Sequence, residues 1–172
     1  MDSTYKTVGI AGTGAMGRGI AQIAAQAGST VRLYDSQADA VRRALADIGA
    51  QWDRLAEKGR MDAAAVAACK ARLQPAADVQ SLTECDLVVE AIVERLDIKQ
   101  ALFRELEAVV GPDCVLATNT SSLSVTAIAA GLARPQRFAG YHFFNPVPLM
   151  KVVEVIAGLK TDAAVCERLH RS

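Results

Sequence analysis

Apolar residues follow two alternating patterns along this chain. Continuous apolar runs of about four to eight residues predict strands that are covered on both faces. These runs fall at residues 7–11, 30–34, 87–94, 115–118, 138–141 and 151–156. Between them, apolar residues recur every three or four positions, which predicts helices with one buried face at 15–27, 38–58, 62–72, 98–109, 124–130 and 162–172. Strands that alternate with helices predict an α/β fold with a doubly wound, mostly parallel sheet.

The two helices predicted after the second strand are unusual. Most crossovers between parallel strands contain a single helix, whereas residues 38–58 and 62–72 predict two. Asp62 is suited to cap the second of these helices, and Gly59 lies in the turn between them. The sequence therefore predicts a helical-hairpin insertion, which either reaches over a ligand cleft or serves packing alone.

Composition and charge exclude several classes of function. The 172 residues are 51% hydrophobic and 22% charged, as in an ordinary folded domain. Lys+Arg and Asp+Glu balance at 19 each, so the chain lacks the overall basic charge of a nucleic-acid or anionic-membrane binder. No apolar run approaches the roughly 18 residues of a membrane span, and the first strand begins too close to Met1 for a signal peptide. We therefore expect a cytoplasmic protein.

The four cysteines support the same expectation. They are Cys69, Cys85, Cys114 and Cys166. They show no CxxC spacing, and each lies in or beside an apolar segment. This distribution favours thiols in a reducing compartment over a disulfide framework or a metal site.

Three glycines separate the first strand from the helix that follows it. Gly12 would allow a tight turn, Gly14 would let a ligand approach the backbone, and Gly17 would let the helix lie close to the strand. A helix that begins at Ala15 and Met16 would direct its free N–H groups and its dipole at a pyrophosphate. The pattern favours a dinucleotide site over its two alternatives, a packing turn without a ligand and a turn for another nucleotide-like cofactor.

Asp35 strengthens the prediction of a dinucleotide site. It follows the second strand, about 20 residues after the glycines, where a carboxylate accepts hydrogen bonds from the adenosine ribose. A carboxylate at this position repels a 2′-phosphate, and the adjacent Ser36 and Gln37 offer no arginine to bind one. We therefore expect NAD rather than NADP.

Polar residues also follow the later predicted strands, at the edge where ligands bind in such sheets. They are Glu94, Ser121 and His142. The pattern at residues 119–122, taken alone, favours capping of the next helix. His142 is either a structural residue or a general base, and two prolines in the segment 145–148 could return Glu154 to its imidazole to fix the tautomer.

Four stretches together resemble the NAD-binding domain of the L-3-hydroxyacyl-CoA dehydrogenases. They are residues 12–21, 88–91, 119–123 and 142–155. The resemblance extends over almost the whole chain, and its most specific part is the His-Phe-Phe-Asn-Pro run with its trailing glutamate. It implies a Rossmann-type domain, NAD as cofactor, and the oxidation of (S)-3-hydroxyacyl-CoA to 3-oxoacyl-CoA in fatty-acid or related acyl-CoA metabolism.

The resemblance also implies roles for single residues. His142 would be the general base, Glu154 its partner, and Ser121 a hydrogen-bond donor to the substrate oxygen. The positions implied for NAD binding are Gly12, Gly14, Ala15, Met16, Gly17, Asp35, Glu94, Lys99, Asn119 and Asn145. Lys58 matches a position that contacts coenzyme A, whereas Gln51 stands where a relative has a serine.

In the family, a catalytic asparagine and a helical, dimer-forming second domain follow the NAD-binding domain. The resemblance therefore implies that residues 1–172 form a domain incomplete at its C-terminus, that a homodimer forms through the absent domain, and that this chain alone turns over acyl-CoA poorly. Two alternatives remain. The first is a β-hydroxyacid dehydrogenase of the hydroxyisobutyrate type, which would use a lysine base; the pair of His142 and Glu154 argues against it. The second is a non-catalytic NAD-binding module, which would not need His142, Glu154 and Ser121.

Overall fold

The computed structural model describes residues 5–150 and 153–170, which form a seven-stranded sheet flanked by helices. The strands are β1 (Thr7–Ala11), β2 (Thr30–Tyr34), β3 (Leu73–Pro75), β4 (Leu87–Glu90), β5 (Val115–Thr118), β6 (Phe138–Phe143) and β7 (Val153–Ala157). The α-helices are α1 (Ala15–Gln26), α2 (Ala38–Glu57), α3 (Ala63–Arg72), α4 (Leu96–Val109), α5 (Val125–Ala129) and α6 (Ala163–His170). Two short 3₁₀ turns lie at Val79–Leu82 and Pro135–Arg137.

The strand order is β3-β2-β1-β4-β5-β6-β7. All neighbouring pairs are parallel except β6 and β7, which are antiparallel. The chain builds outward from β1 on one side and then from β4 on the other, so the order reverses between these two strands. In such sheets the ligand crevice opens at this reversal, beyond the carboxyl ends of the strands. The predicted α/β, doubly wound and mostly parallel fold is confirmed.

The core occupies both faces of the sheet. Because successive strand side chains point to opposite faces, Leu87 and Val89 of β4 join one hydrophobic cluster and Val88 joins the other. The first cluster includes residues of α1, α2, α3 and α6, among them the fully buried Trp52. The second cluster includes residues of α4 and α5, among them Phe103. This double cover explains why most strands appear in the sequence as continuous apolar runs.

The helical hairpin after β2 is confirmed. Gly59 turns the chain between α2 and α3 with a φ of +70°, and the Asp62 carboxylate accepts a hydrogen bond from the N–H of Ala65 at 2.7 Å. α2 ends at Glu57, so Lys58 is its C-cap rather than part of the helix. The hairpin leads into β3, a three-residue edge strand that the sequence analysis missed because it is short and ends in Pro75.

Two predicted positions need correction, and part of the last strand and of the last helix cannot be compared. β4 ends at Glu90, so Glu94 lies in a loop four residues past the strand. His142 lies within β6 rather than after it. The last strand begins at Val153 among the described residues, and the predicted positions 151–152 and 171–172 lie outside them.

Two further sequence-based expectations concern the cysteines and membrane spans. All four cysteines are free thiols, and Cys69, Cys85 and Cys114 are buried, as predicted. Burial raises the pKa of Cys85 and of Cys114 to about 12, which keeps both thiols protonated and unreactive. Over residues 5–150 and 153–170, no helix has the length and apolar character needed to cross a membrane.

Candidate active site

The glycine turn after β1 forms a cradle at the start of α1. Gly12 has a φ of +102°, a conformation that favours glycine. A Cβ on Gly17 would lie 1.8 Å from the Gly12 carbonyl oxygen, whereas a Cβ on Gly14 would meet no atom within 4 Å. No side chain caps the helix at Gly14, so its first N–H groups face the open cleft. These features fit the pyrophosphate of a dinucleotide.

Asp35 is held at the end of β2 by hydrogen bonds to both of its carboxylate oxygens. Oδ2 accepts from the backbone N–H and the hydroxyl of Thr13, at 3.0 and 2.9 Å. Oδ1 accepts from the backbone N–H of Gln37 at 2.9 Å. The carboxylate is therefore oriented before any ribose arrives. Thr13 was missed by the sequence analysis, although its place between the first two glycines was the available signal.

A large cavity of about 1080 Å³ extends from the glycine cradle past Asp35. The first half of α2 borders it through Ala40, Arg43 and Asp47, while α3 packs away from it. Arg18 of α1 reaches Asp47 of α2 across 3.0 Å. The hairpin thus serves both of the roles left open: one helix lines the cleft and the other contributes to packing.

A second cavity of about 340 Å³ adjoins the first, because Ala91 and Ile92 line both. Six residues predicted to bind cofactor or substrate, or to catalyse, meet here. They are Met16, Glu94, Asn119, Ser121, His142 and Asn145. The two cavities form one cleft. After the roles that the sequence predicts, the end at Asp35 is here called the adenosine end and the end lined by His142 the reacting end.

His142 and Glu154 face each other across the antiparallel pair of β6 and β7, where they are register partners. The Nδ1 atom of His142 lies 3.9 Å from a carboxylate oxygen of Glu154, which is an ion-pair distance but too long for a hydrogen bond. The imidazole ring packs against Phe144, with ring centroids 4.6 Å apart. The chain reversal between these strands brings the two side chains together, as the sequence predicted.

The polar segment after β5 links neighbouring strands rather than capping a helix. The Asn119 side-chain oxygen accepts a hydrogen bond from the backbone N–H of Phe143 at 2.9 Å, which ties the ends of β5 and β6 together. Ser124 caps α5 instead, through the N–H of Ala127 at 3.1 Å. The capping role favoured for residues 119–122 was therefore wrong, and Ser121 is free to line the cavity.

Glu94 is fixed above a buried lysine. Its carboxylate accepts hydrogen bonds from Thr120 and Ser122 at 2.6 and 2.7 Å, and Lys99 lies 3.0 Å away. Partial burial opposes the charge, but these three hydrogen-bond donors outweigh it and lower the pKa of Glu94. Lys99 is 0% exposed and also pairs with the buried Glu90. Lys99 therefore supports Glu94 in this structure, and its direct contact with NAD stays a prediction.

Glu90 was missed by the sequence analysis. The available signal was a carboxylate inside the apolar run 87–94, nine positions before the one lysine of the helix that follows.

The predicted coenzyme A position Lys58 and the nearby Gln51 are both exposed and line neither cavity of the cleft, so the coenzyme A contact stays a prediction. No group of three metal-ligating side chains occurs within the described parts of the chain.

The fold and the cleft define a dinucleotide-binding α/β domain with a histidine–glutamate pair beside its cofactor site. The chain belongs to the family of 3-hydroxyacyl-CoA dehydrogenase NAD-binding domains, whose pattern matches residues 7–172. NAD is therefore the cofactor of this cleft, in agreement with the expectation from the sequence.

Individual relatives agree with the family. A 3-hydroxyadipyl-CoA dehydrogenase of Escherichia coli is 48% identical over 95% of this chain and 34% of its own length. A 3-hydroxybutyryl-CoA dehydrogenase of Bradyrhizobium diazoefficiens is 42% identical over 97% of this chain and 57% of its own length. A crystal structure of 3-hydroxybutyryl-CoA dehydrogenase from E. coli superposes with a TM-score of 0.95 at 47% identity, over 96% of this chain and 35% of that one. The chain thus spans between a third and just over half of these proteins.

Proposed function

We propose that this chain is the cofactor-binding part of a dehydrogenase that oxidises (S)-3-hydroxyacyl-CoA to 3-oxoacyl-CoA in fatty-acid or related acyl-CoA metabolism. One observation carries the proposal: His142, with Glu154 behind it, lies in the cavity that adjoins the cofactor cleft. An imidazole is the usual side chain for removing a proton from a hydroxyl near neutral pH. Ser121 and Asn145 line the same cavity.

His142 removes the proton of the substrate 3-hydroxyl in this mechanism. NAD, when bound, supplies the acceptor for the hydride that leaves C3. Because Nδ1 of His142 faces Glu154, the free nitrogen Nε2 is the one that takes the proton, and the carboxylate stabilises the imidazolium that forms. Ser121 donates a hydrogen bond to the substrate oxygen and keeps it within reach of the base.

The adenosine end of the cleft selects NAD by charge and hydrogen bonding. Asp35 is oriented by Thr13 and Gln37, so its carboxylate is ready to accept from the ribose 2′-hydroxyl. Gly14 leaves space for the pyrophosphate at the start of α1. Asn119 and Asn145, which line the cavity at the other end, would contact the nicotinamide half.

The proposal extends to partners beyond the cofactor. The exposed Lys58 at the end of α2 would contact the acidic coenzyme A portion of the substrate. A homodimer would form through a helical second domain, as the family resemblance implies. We place the protein in the cytoplasm, where its four free thiols would stay reduced.

A spectrophotometric assay of the full-length protein tests this function. Acetoacetyl-CoA and NADH should give a fall in absorbance at the wavelength of NADH, and His142→Gln should remove most of it. A 3-hydroxyisobutyrate substrate provides the comparison with the lysine-base dehydrogenases. If the protein binds NADH but leaves acetoacetyl-CoA unchanged, the chain is a cofactor-binding module and the proposed reaction is wrong.

A further inference from the structure

A network of charged side chains lies directly beneath the reacting end of the cleft. Glu90 and Lys99 are both 0% exposed, which is rare for charged residues unless they are paired. The Lys99 ammonium contacts the carboxylates of both Glu90 and Glu94 and lies 3.3 Å from the carbonyl oxygen of Ile92. The single positive charge of Lys99 is therefore shared by two carboxylates.

The hydrogen bonds around Glu90 identify it as a carboxylate. The Thr118 hydroxyl oxygen accepts from the backbone N–H of Thr120 at 3.3 Å, so its own proton is directed at Glu90, 2.6 Å away. The backbone N–H of Ile92 donates to the other oxygen of Glu90 at 2.7 Å, and Lys99 donates to that same oxygen. The hydroxyl, the backbone N–H and the ammonium are all suited to donate to Glu90, and together they stabilise the negative charge of its carboxylate.

Glu94 carries the charge that Lys99 does not balance. Two hydroxyls and the ammonium donate to its carboxylate, and its side chain is 45% exposed into the cavity that His142 lines. The neighbouring Arg95 pairs with Asp97 at 3.0 Å and adds no net charge. Glu90, Lys99 and Glu94 together carry one net negative charge at the reacting end of the cleft.

This charge bears on the oxidation state of the cofactor. The nicotinamide ring is cationic when oxidised and neutral when reduced, and it must lie near His142 if the proposed function holds. We propose that the Glu90–Lys99–Glu94 network shifts binding in the cleft toward the oxidised cofactor, because it places one unbalanced negative charge beside the ring. Glu90 has no exposed surface and is therefore a positioning residue: it holds Lys99, which contacts Glu94, and it acts on the ring only through its charge.

Dissociation constants for NAD⁺ and NADH, measured by calorimetry without acyl-CoA, test this proposal. The ratio of the two constants cancels every contact that both forms share. Glu90→Gln and Glu94→Gln each remove the unbalanced charge, so the ratio Kd(NAD⁺)/Kd(NADH) should rise about threefold to tenfold in each variant. Because Glu94 is partly exposed, Glu94→Gln decides the question if Glu90→Gln does not fold.

Two controls separate charge from structure. Thr118→Val removes one hydrogen bond to Glu90 without changing the charge, and Glu105→Gln removes a carboxylate at the adenosine end of the cleft. Neither should change the ratio by more than about twofold. A ratio unchanged in both glutamate variants, or shifted equally by Thr118→Val, overturns the proposal even if the protein turns over acyl-CoA. A shifted ratio in a protein without turnover supports it and counts against the proposed function alone.

Discussion

The two ends of the cleft are built differently. At the adenosine end, the glycine cradle presents main-chain N–H groups at the start of α1, and Asp35 is oriented by three hydrogen bonds. At the reacting end, side chains from separate elements converge, and the pair of His142 and Glu154 is 3.9 Å apart with Glu154 57% exposed. The hydrogen bonds of the first end are present in this structure, whereas the histidine–glutamate pair of the second lies beyond hydrogen-bond distance.

This difference follows from what each end must do. Binding a dinucleotide needs a fixed shape, which two strands and the helix between them provide within one continuous segment, residues 7–35. Proton transfer needs partners at hydrogen-bond distance in the transition state, and catalytic hydrogen bonds are often long before substrate binds. A mostly buried His142 beside an exposed Glu154 suits a pair that would complete its geometry when substrate excludes water.

Alanine substitutions at two cradle glycines should affect the adenosine end differently. Gly17→Ala should lower stability, and Gly14→Ala should lower NADH affinity. A Cβ on Gly17 would lie 1.8 Å from the backbone oxygen of Gly12, and this backbone cannot move without displacing β1. Gly17→Ala should therefore lower the free energy of unfolding by more than about 3 kcal/mol, measured by urea denaturation.

Gly14→Ala is the matched control for that experiment. A Cβ on Gly14 meets nothing within 4 Å, so the free energy of unfolding should change by less than about 1 kcal/mol. The added methyl group would occupy the space of the pyrophosphate, and we expect NADH affinity to fall at least about tenfold, a loss of about 1.4 kcal/mol. Tight NADH binding by Gly14→Ala would show that the phosphates lie elsewhere.

His142→Gln should break the reacting end and leave the adenosine end intact. A positioned general base contributes about 10²- to 10⁴-fold to rate, so single-turnover reduction of acetoacetyl-CoA by the full-length protein should slow by that factor. NADH affinity should stay within about twofold, because the dinucleotide is held mainly at the other end of the cleft. A variant with normal turnover would remove histidine from the mechanism.

Asp35→Asn sharpens the comparison at the adenosine end, with a smaller expected effect. The wild-type protein should prefer NADH over NADPH, because the carboxylate repels a 2′-phosphate. Asparagine keeps the shape of the side chain but removes its charge, so the preference should narrow by roughly tenfold in the ratio of dissociation constants. Glu105 lines the same cavity, and the control variant Glu105→Gln should leave this ratio unchanged. Equal binding of both cofactors by the wild-type protein would contradict the assignment.

The adenosine end was also the end that the sequence could predict. Gly12, Gly14 and Asp35 lie at fixed spacing around β1, α1 and β2, so local pattern was sufficient. The reacting end depends on contacts between distant segments, such as Asn119 with Phe143 and Glu90 with Thr118. Such contacts have no local signature, and most of the residues at that end gained their roles from the family resemblance.

The fold was predictable to a similar degree. Apolar runs predicted β1, β2 and β5 closely; β1 and β5 are buried almost throughout, whereas in β2 buried and half-buried residues alternate. β4 was extended too far, since residues 91–93 are apolar but line the cleft instead of pairing with a strand. β3 has one half-buried and two exposed residues, so no apolar run marks it, and its position comes from pairing with β2.

Glu94 gives the smallest expected effect, a dependence of stability on pH at the reacting end. Its pKa is lowered in the folded protein relative to the ordinary value of 4.5, so the ionised group stabilises the fold above that pH, and this stabilisation is lost as pH falls through the lowered pKa. At pH 7 the wild-type protein should unfold about 1 to 3 °C above Glu94→Gln, a modest gap because solvent screens a group that is 45% exposed. The gap should close progressively below pH 4.5, and Glu57→Gln on the exposed side of α2 gives the baseline. If the difference in unfolding temperature stayed constant down to about pH 3, the stabilisation would come from the packing and hydrogen bonds of the Glu94 side chain and not from its charge.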